Sequence, residues 1–120
     1  MSSEWLTATV VDFCRLMGFS VEALPVMIEF EKRGTLSIEG HGEQLLVIMT
    51  RPVFQDVLAD HMRKAMSLCH YRRQSFFTIQ AAMHGDDRIA FIARLEGDDI
   101  SVTNLERVVK WLTRMHDQLL

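Results

Sequence analysis

The chain has 120 residues, 48% of them apolar and 24% charged, with a net charge of −3 and two cysteines. That length suits one domain, residues 1–120, large enough to bury a core, and the apolar content excludes a disordered chain. The acidic balance argues against nucleic acid and anionic membranes as partners, because both recruit a concentrated basic face.

The first helix is predicted over about Glu4–Met17, where Trp5, Leu6, Val10, Phe13, Cys14, Leu16 and Met17 recur at helical spacing and Gly18 offers a C-cap. Leu24-Pro25 then turns the chain into extended structure. Three strands are expected next. Val26, Ile28 and Phe30 alternate with Met27, Glu29 and Glu31, and Thr35–Glu39 alternates again with Leu36 and Ile38 on one face. Turns at Lys32-Arg33-Gly34 and Gly40-His41-Gly42 punctuate them. Leu45–Met49 is apolar on both faces, as expected of a central strand with the chain's own helices on one side and something else on the other. This run is far below the ~20 residues needed to cross a bilayer, and the N-terminus lacks the pattern of a secretory signal.

Pro52 suits the first turn of a second helix, about Pro52–Tyr71, whose end carries the one basic cluster, Tyr71-Arg72-Arg73. Ser75–Met83 and Arg88–Leu95 read as a hairpin joined by His84-Gly85-Asp86-Asp87. A last helix follows Gly97-Asp98-Asp99, with Thr103 and Glu106 as its capping box and Leu105, Val108, Val109, Leu112, Met115 and Leu119 as its core stripe. The predicted fold is α+β, a single domain ordered α-β-β-β-α-β-β-α with a twisted, mainly antiparallel sheet and three helices.

Two helices are wider in apolar arc than one core requires. In the second, Val53, Phe54, Val57, Leu58, Met62, Ala65, Met66, Leu68 and Cys69 spread over roughly 220°, whereas a stripe of about 100° seals a core. Either a second subunit covers the excess or a curved sheet uses the whole arc. The methionine-rich edge, Leu58, Met62, Met66 and Cys69, is the predicted dimer interface, since methionine suits adaptable contacts. The apolar arc of the first helix spans about 180°, which fits either an exposed docking patch or a helix end that seals the sheet.

Signs of catalysis or ligation are absent from the sequence pattern. The five histidines lack zinc spacing, and Cys14 and Cys69 lie outside any motif, as reduced core thiols of a cytosolic protein do. Asp86-Asp87 and Asp98-Asp99 are turn residues without the ligand spacing of a calcium loop. Glu29, Glu31 and Glu39 alternate onto a solvated strand face, and Gly34, Gly40 and Gly42 precede no phosphate-binding helix. The chain is therefore expected to be non-enzymatic, with no metal and no cofactor.

Phe13-Cys14-x-x-Met17-Gly18, then Glu31-x-x-Gly34-Thr35-Leu36-x-Ile38-Glu39-x-His41-Gly42, Leu45, Arg51 and Lys64-Ala65-Met66-x-Leu68 carry a resemblance over nearly the whole chain. They resemble the class I chaperones of bacterial type III secretion, most closely the SycN type that serves the secretion gatekeeper. The resemblance implies a dimer, with a second small YscB-like chaperone or with itself, in which the second helix contributes to the interface. It implies that the N-terminal segment of a secreted gatekeeper or effector docks in extended form, in the region of Leu6, Val10, Phe13, Leu36 and Ile38. It implies a cytoplasmic bacterial protein, without nucleic acid or stable membrane insertion, that associates with the inner face of the secretion apparatus. A homodimeric effector chaperone is the alternative. A small ligand-binding or adaptor domain ranks behind both, since no convergent set of polar groups suggests a pocket.

Overall fold

Helix α1 (Glu4–Leu16) stops where the chain can reverse cheaply. Gly18 takes φ +92°, its N–H bonds the Arg15 carbonyl at 3.0 Å, and the Phe19 N–H bonds the Cys14 carbonyl at 2.8 Å. This is a Schellman closure, and glycine holds the left-handed conformation at no steric cost. The computed structural model describes residues 4–32, 34–71 and 77–119.

Strands β1 (Val26–Phe30), β2 (Gly34–His41) and β3 (Gln44–Pro52) form an antiparallel meander; helix α2 (Gln55–Tyr71) crosses to β4 (Thr78–His84), and β5 (Arg88–Glu96) returns. The five-stranded sheet has the order β1-β2-β3-β5-β4, so the hairpin β4–β5 attaches through β5 to β3. A 3-10 turn (Gly97–Asp99) leads to helix α3 (Val102–Asp117). The predicted element order and the antiparallel sheet are those observed, and β3 lies at the centre.

Cross-strand partners share a face, which divides the sheet cleanly. Val26, Ile38, Val47 and Ala93 form one row on the inner face, and Ile28, Leu36, Met49 and Phe91 form the next. All eight are buried in a single core with Leu6, Val10, Phe13 and Cys14 of α1 and the full predicted stripe of α3. Helix α3 lies over β3 and β5, α1 against α3, and α2 against β4 and α3.

Several boundaries differ from the sequence reading. Pro52 ends β3 opposite Arg88 and does not open a helix. The β3–β5 ladder runs on to that point, and a strand end tolerates a residue without N–H. Gly40 lies within β2 opposite Leu45, and the hairpin loop is Gly42-Glu43 with Gly42 at φ +62°, the arrangement of a two-residue turn with glycine first. Helix α3 is capped by Ser101, whose Oγ accepts the Asn104 N–H at 3.1 Å, so Thr103 lies inside the first turn. Of the predicted fourth strand, Ser75 and Phe76 lie outside the described residues, as do Arg33 of the first turn and Arg72-Arg73 of the basic cluster.

One buried histidine was hidden among the five. His116 is 2% exposed, its Nε2–H donates to the Met49 carbonyl at 2.7 Å, and its ring meets Phe91 edge-on at 4.7 Å. Burial, aided by the Arg51 cation, lowers its pKa to about 4 against the opposing effects of the Met49 carbonyl and Asp117. A folded pKa depressed below the unfolded value of 6.5 means stability that is complete above pH 6.5 and is lost as pH falls toward 4. The loss attributable to His116 should reach on the order of 3 kcal/mol. Urea unfolding at pH 7, 5 and 4 checks it. The His116→Gln variant keeps an amide donor for Met49 without titrating, so its stability should fall less over this window. Parallel losses in the two proteins would remove His116 as the cause.

Candidate functional site

Described residues offer surfaces more than pockets. Helix α2 is centred on Ala65, which is fully buried. On one flank, Leu68 is half-buried against the core; on the other, Leu58, Met62 and Cys69 are. Beyond that second flank Met66 is 58% exposed, and at the helix entry Phe54 is 83% exposed. Thus the predicted interface residues split. Leu58, Met62 and Cys69 are anchored in the chain's own core, and Met66 projects from it. Burial raises the Cys69 thiol to about 11 and raises that of Cys14 also, which keeps both protonated and poorly nucleophilic at neutral pH; neither is in a disulfide.

The residues expected to meet a client lie elsewhere than at the surface. Leu6, Val10 and Phe13 are 1%, 0% and 2% exposed, and Leu36 and Ile38 are 0%. The alternation that places Leu36 and Ile38 on one strand face is real, but α1 and α3 cover that face. What α1 leaves to solvent is a different stripe, Trp5 at 43% and Leu16 at 75% exposed.

The outer face of the sheet is another open surface. Leu46, Ile48 and Ile92 are half-exposed, Met27 is 72% exposed, and none of them joins the core. Met27, Ser37, Ile48 and Ile92 are successive cross-strand partners, so this apolar row runs across the strands. The double-sided apolarity of Leu45–Met49 announced it: Leu45, Val47 and Met49 face inward, and Leu46 and Ile48 face out. Met27 carried no such signal, because it sits in ordinary strand alternation with Val26 and Ile28.

Strand β1 forms one edge of the sheet and pairs with β2 alone. Beside it, Phe19, Val21 and Leu24 of the connection from α1, together with Phe30 at the end of β1, are half-buried, with Phe19 and Phe30 edge-to-face at 5.9 Å. An unpaired edge next to half-covered apolar side chains is suited to accept an extended peptide. Among the described residues no helix is long and apolar enough to cross a membrane, and no three His, Cys, Asp or Glu side chains converge as metal ligands.

Comparison with known proteins adds to this geometry. Residues 5–120 match the family model described as "Type III secretory system chaperone SycN". The chaperone protein SycN of Yersinia enterocolitica is 23% identical over 120 residues, with 98% of each chain covered. Among solved structures, the Yersinia pestis type III secretion chaperone SycH, in complex with a stable fragment of YscM2, superposes with a TM-score of 0.65 at 17% identity, covering 96% of this chain and 99% of that one. A chain of the heterodimeric ExoU–SpcU complex from the type III secretion system of Pseudomonas aeruginosa gives 0.64 at 13% identity, covering 92% and 93%. At these identities the structures speak for the fold.

Proposed function

The chain belongs to the SycN family of type III secretory system chaperones, and on that premise we propose that it acts as one half of a small-chaperone dimer that holds an extended N-terminal segment of the secretion gatekeeper. The observation that carries this is the family match from residue 5 to residue 120, which spans all three helices and all five strands but for the first residue of the first helix. The action is binding, without catalysis or cofactor, in the bacterial cytoplasm, with delivery at the inner face of the secretion apparatus. The partner subunit is a second small YscB-like chaperone.

The α2 surface supports the dimer. Phe54 just before the helix and Met66 within it expose apolar area beside Leu58, Met62 and Cys69, and an exposed apolar patch of this kind favours a protein contact. The β1 edge supports client binding. An incoming strand gains main-chain hydrogen bonds there and lays alternate side chains against Phe19, Val21, Leu24 and Phe30. A disordered segment loses conformational entropy when it docks, so the contact must be long, and a wrapped path around a dimer supplies that length. A homodimeric chaperone for secreted effectors is the second reading. It is favoured by the likeness to SycH, whose solved complex holds a fragment of YscM2.

Native mass spectrometry of the protein purified from its own cells tests the assembly. A complex with a second small acidic chain and a larger secreted protein supports the gatekeeper reading. A symmetric homodimer with assorted clients moves the assignment to the second, and a monomer rejects both. Met66→Glu tests the interface. Its side chain is largely exposed, so the melting temperature of the isolated subunit should hold within roughly 2 °C. The dimer should weaken by about tenfold or more, since a buried unpaired carboxylate costs more than 1.4 kcal/mol. Unchanged mass in light scattering would place the interface elsewhere.

A further inference from the structure

A second surface of the molecule has a different chemistry. The chain carries a net charge of −3, yet cations from three elements meet where the β1–β2 turn approaches the end of α3. Lys32, Arg51, Lys110 and Arg114 line a groove of about 440 Å³ with Asp117 as its one carboxylate. An adjoining groove of about 380 Å³ shares Lys32 and Arg51 and continues to Thr35 and Arg88. Glu29 and Glu31 rim that second stretch.

The local ion pairs do not neutralise this band. Asp117 holds Arg51 at 2.7 Å, and Glu106 holds Lys110 at 3.2 Å. Among the described residues no carboxylate pairs with Lys32, Arg88 or Arg114. Arg88 donates to the Thr50 and Thr35 hydroxyls at 3.2 and 3.5 Å, which satisfies N–H groups but leaves the charge. Lys110 and Arg114 stand one turn apart on α3, a like-charge spacing that costs a helix a few tenths of a kcal/mol. Cations in the last turn of a helix offset its dipole, which accounts for Arg114. It does not account for Lys32, Arg51 or Arg88, which come from a turn and two strands.

We propose that this band binds an acidic, extended segment of a partner protein through its side-chain carboxylates. The cations are distributed along two consecutive open grooves and do not converge on one point, so the fit is to several carboxylates along a chain more than to one phosphate. Arginine presents a planar fork that takes a carboxylate through two hydrogen bonds, and Arg114 offers such a fork with no carboxylate partner among the described residues. The acidic remainder of the surface repels a polyanion as long as nucleic acid but not a short acidic stretch. The inference stands apart from the client-binding reading, because it concerns a different surface and needs no particular client.

The test is fluorescence anisotropy with a labelled hexaglutamate peptide, with labelled hexalysine as the control. Saturable binding of hexaglutamate alone, weakened roughly tenfold by raising salt to about 0.3 M, is expected. Lys32→Glu combined with Arg114→Glu should weaken it roughly tenfold as well, the effect of reversing two exposed charges in one band. Thermal melting checks that this variant folds, and Arg114→Gln alone, with a smaller loss, serves if it does not. Equal binding by folded variant and wild type, equal binding of hexalysine, or no saturable binding would overturn the proposal. Complete displacement by inorganic phosphate at equal charge concentration would overturn it too, in favour of a simple anion site.

Discussion

Leu36→Asp is expected to abolish cooperative folding. Leu36 is 0% exposed and sits opposite Met49, in the row that Ile28 and Phe91 complete. Losing the buried leucine side chain costs about 2–5 kcal/mol, and a carboxylate in its place must be either desolvated unpaired or protonated far above its ordinary pKa. Together these exceed about 5 kcal/mol, comparable with the whole stability of a domain this size. Circular dichroism on heating should show no cooperative transition, and Ile38→Asp should behave alike. Met27→Asp, on the outer face beside them and 72% exposed, should melt close to wild type. A folded Leu36→Asp protein that had lost only its client would reverse the assignment and return Leu36 to a docking surface.

Gly34→Ala should be the most damaging alanine substitution among the six glycines. Gly34 holds φ +96°, and a Cβ built there would run into the Thr50 carbonyl oxygen and the Arg51 side chain. Strain from the left-handed backbone contributes about 1–3 kcal/mol. Forcing apart two strands at their closest approach contributes about 1–3 kcal/mol more. The comparison is Gly42→Ala. That residue also has positive φ, but its Cβ would meet nothing within 4 Å, so only the backbone term, about 1 kcal/mol, applies. Urea unfolding separates them. Equal losses at the two positions would show that the close contact with β3 relaxes at no cost.

The contrast between these residues explains how far the chain could be read without coordinates. Periodicity reports a face and its width. It marked Leu105 through Leu119 as a core stripe and Leu45–Met49 as a strand apolar on both sides, and both are so in the structure. It does not report what lies opposite. Leu36 and Ile38 alternate in the same way whether helices or a client cover them, and only the pairing of β3 with β5, which brings α3 across, decides. The α2 arc failed to separate core from surface for the same reason. Its centre at Ala65 depends on where β4 returns, more than a turn of sequence after the helix ends. The cation band was least legible, since Lys32, Arg51, Arg88 and Arg114 are distant in sequence and each looks ordinary alone.

The strand order also has a consequence for how the protein comes into being. The meander β1-β2-β3 is local and can pair as it is made, but β3 receives its second neighbour only when residues 88–96 arrive, and its inner face is fully covered only when α3, residues 102–117, joins α1 over the sheet. Until then Leu45, Val47 and Met49 lack part of their cover and β3 is an open edge. Long-range pairing of this kind slows folding, and an apolar strand edge in waiting invites pairing with other chains. A chain with this strand order is most exposed to misassociation before β5 and α3 are in place, the same kind of hazard from which a chaperone protects its clients.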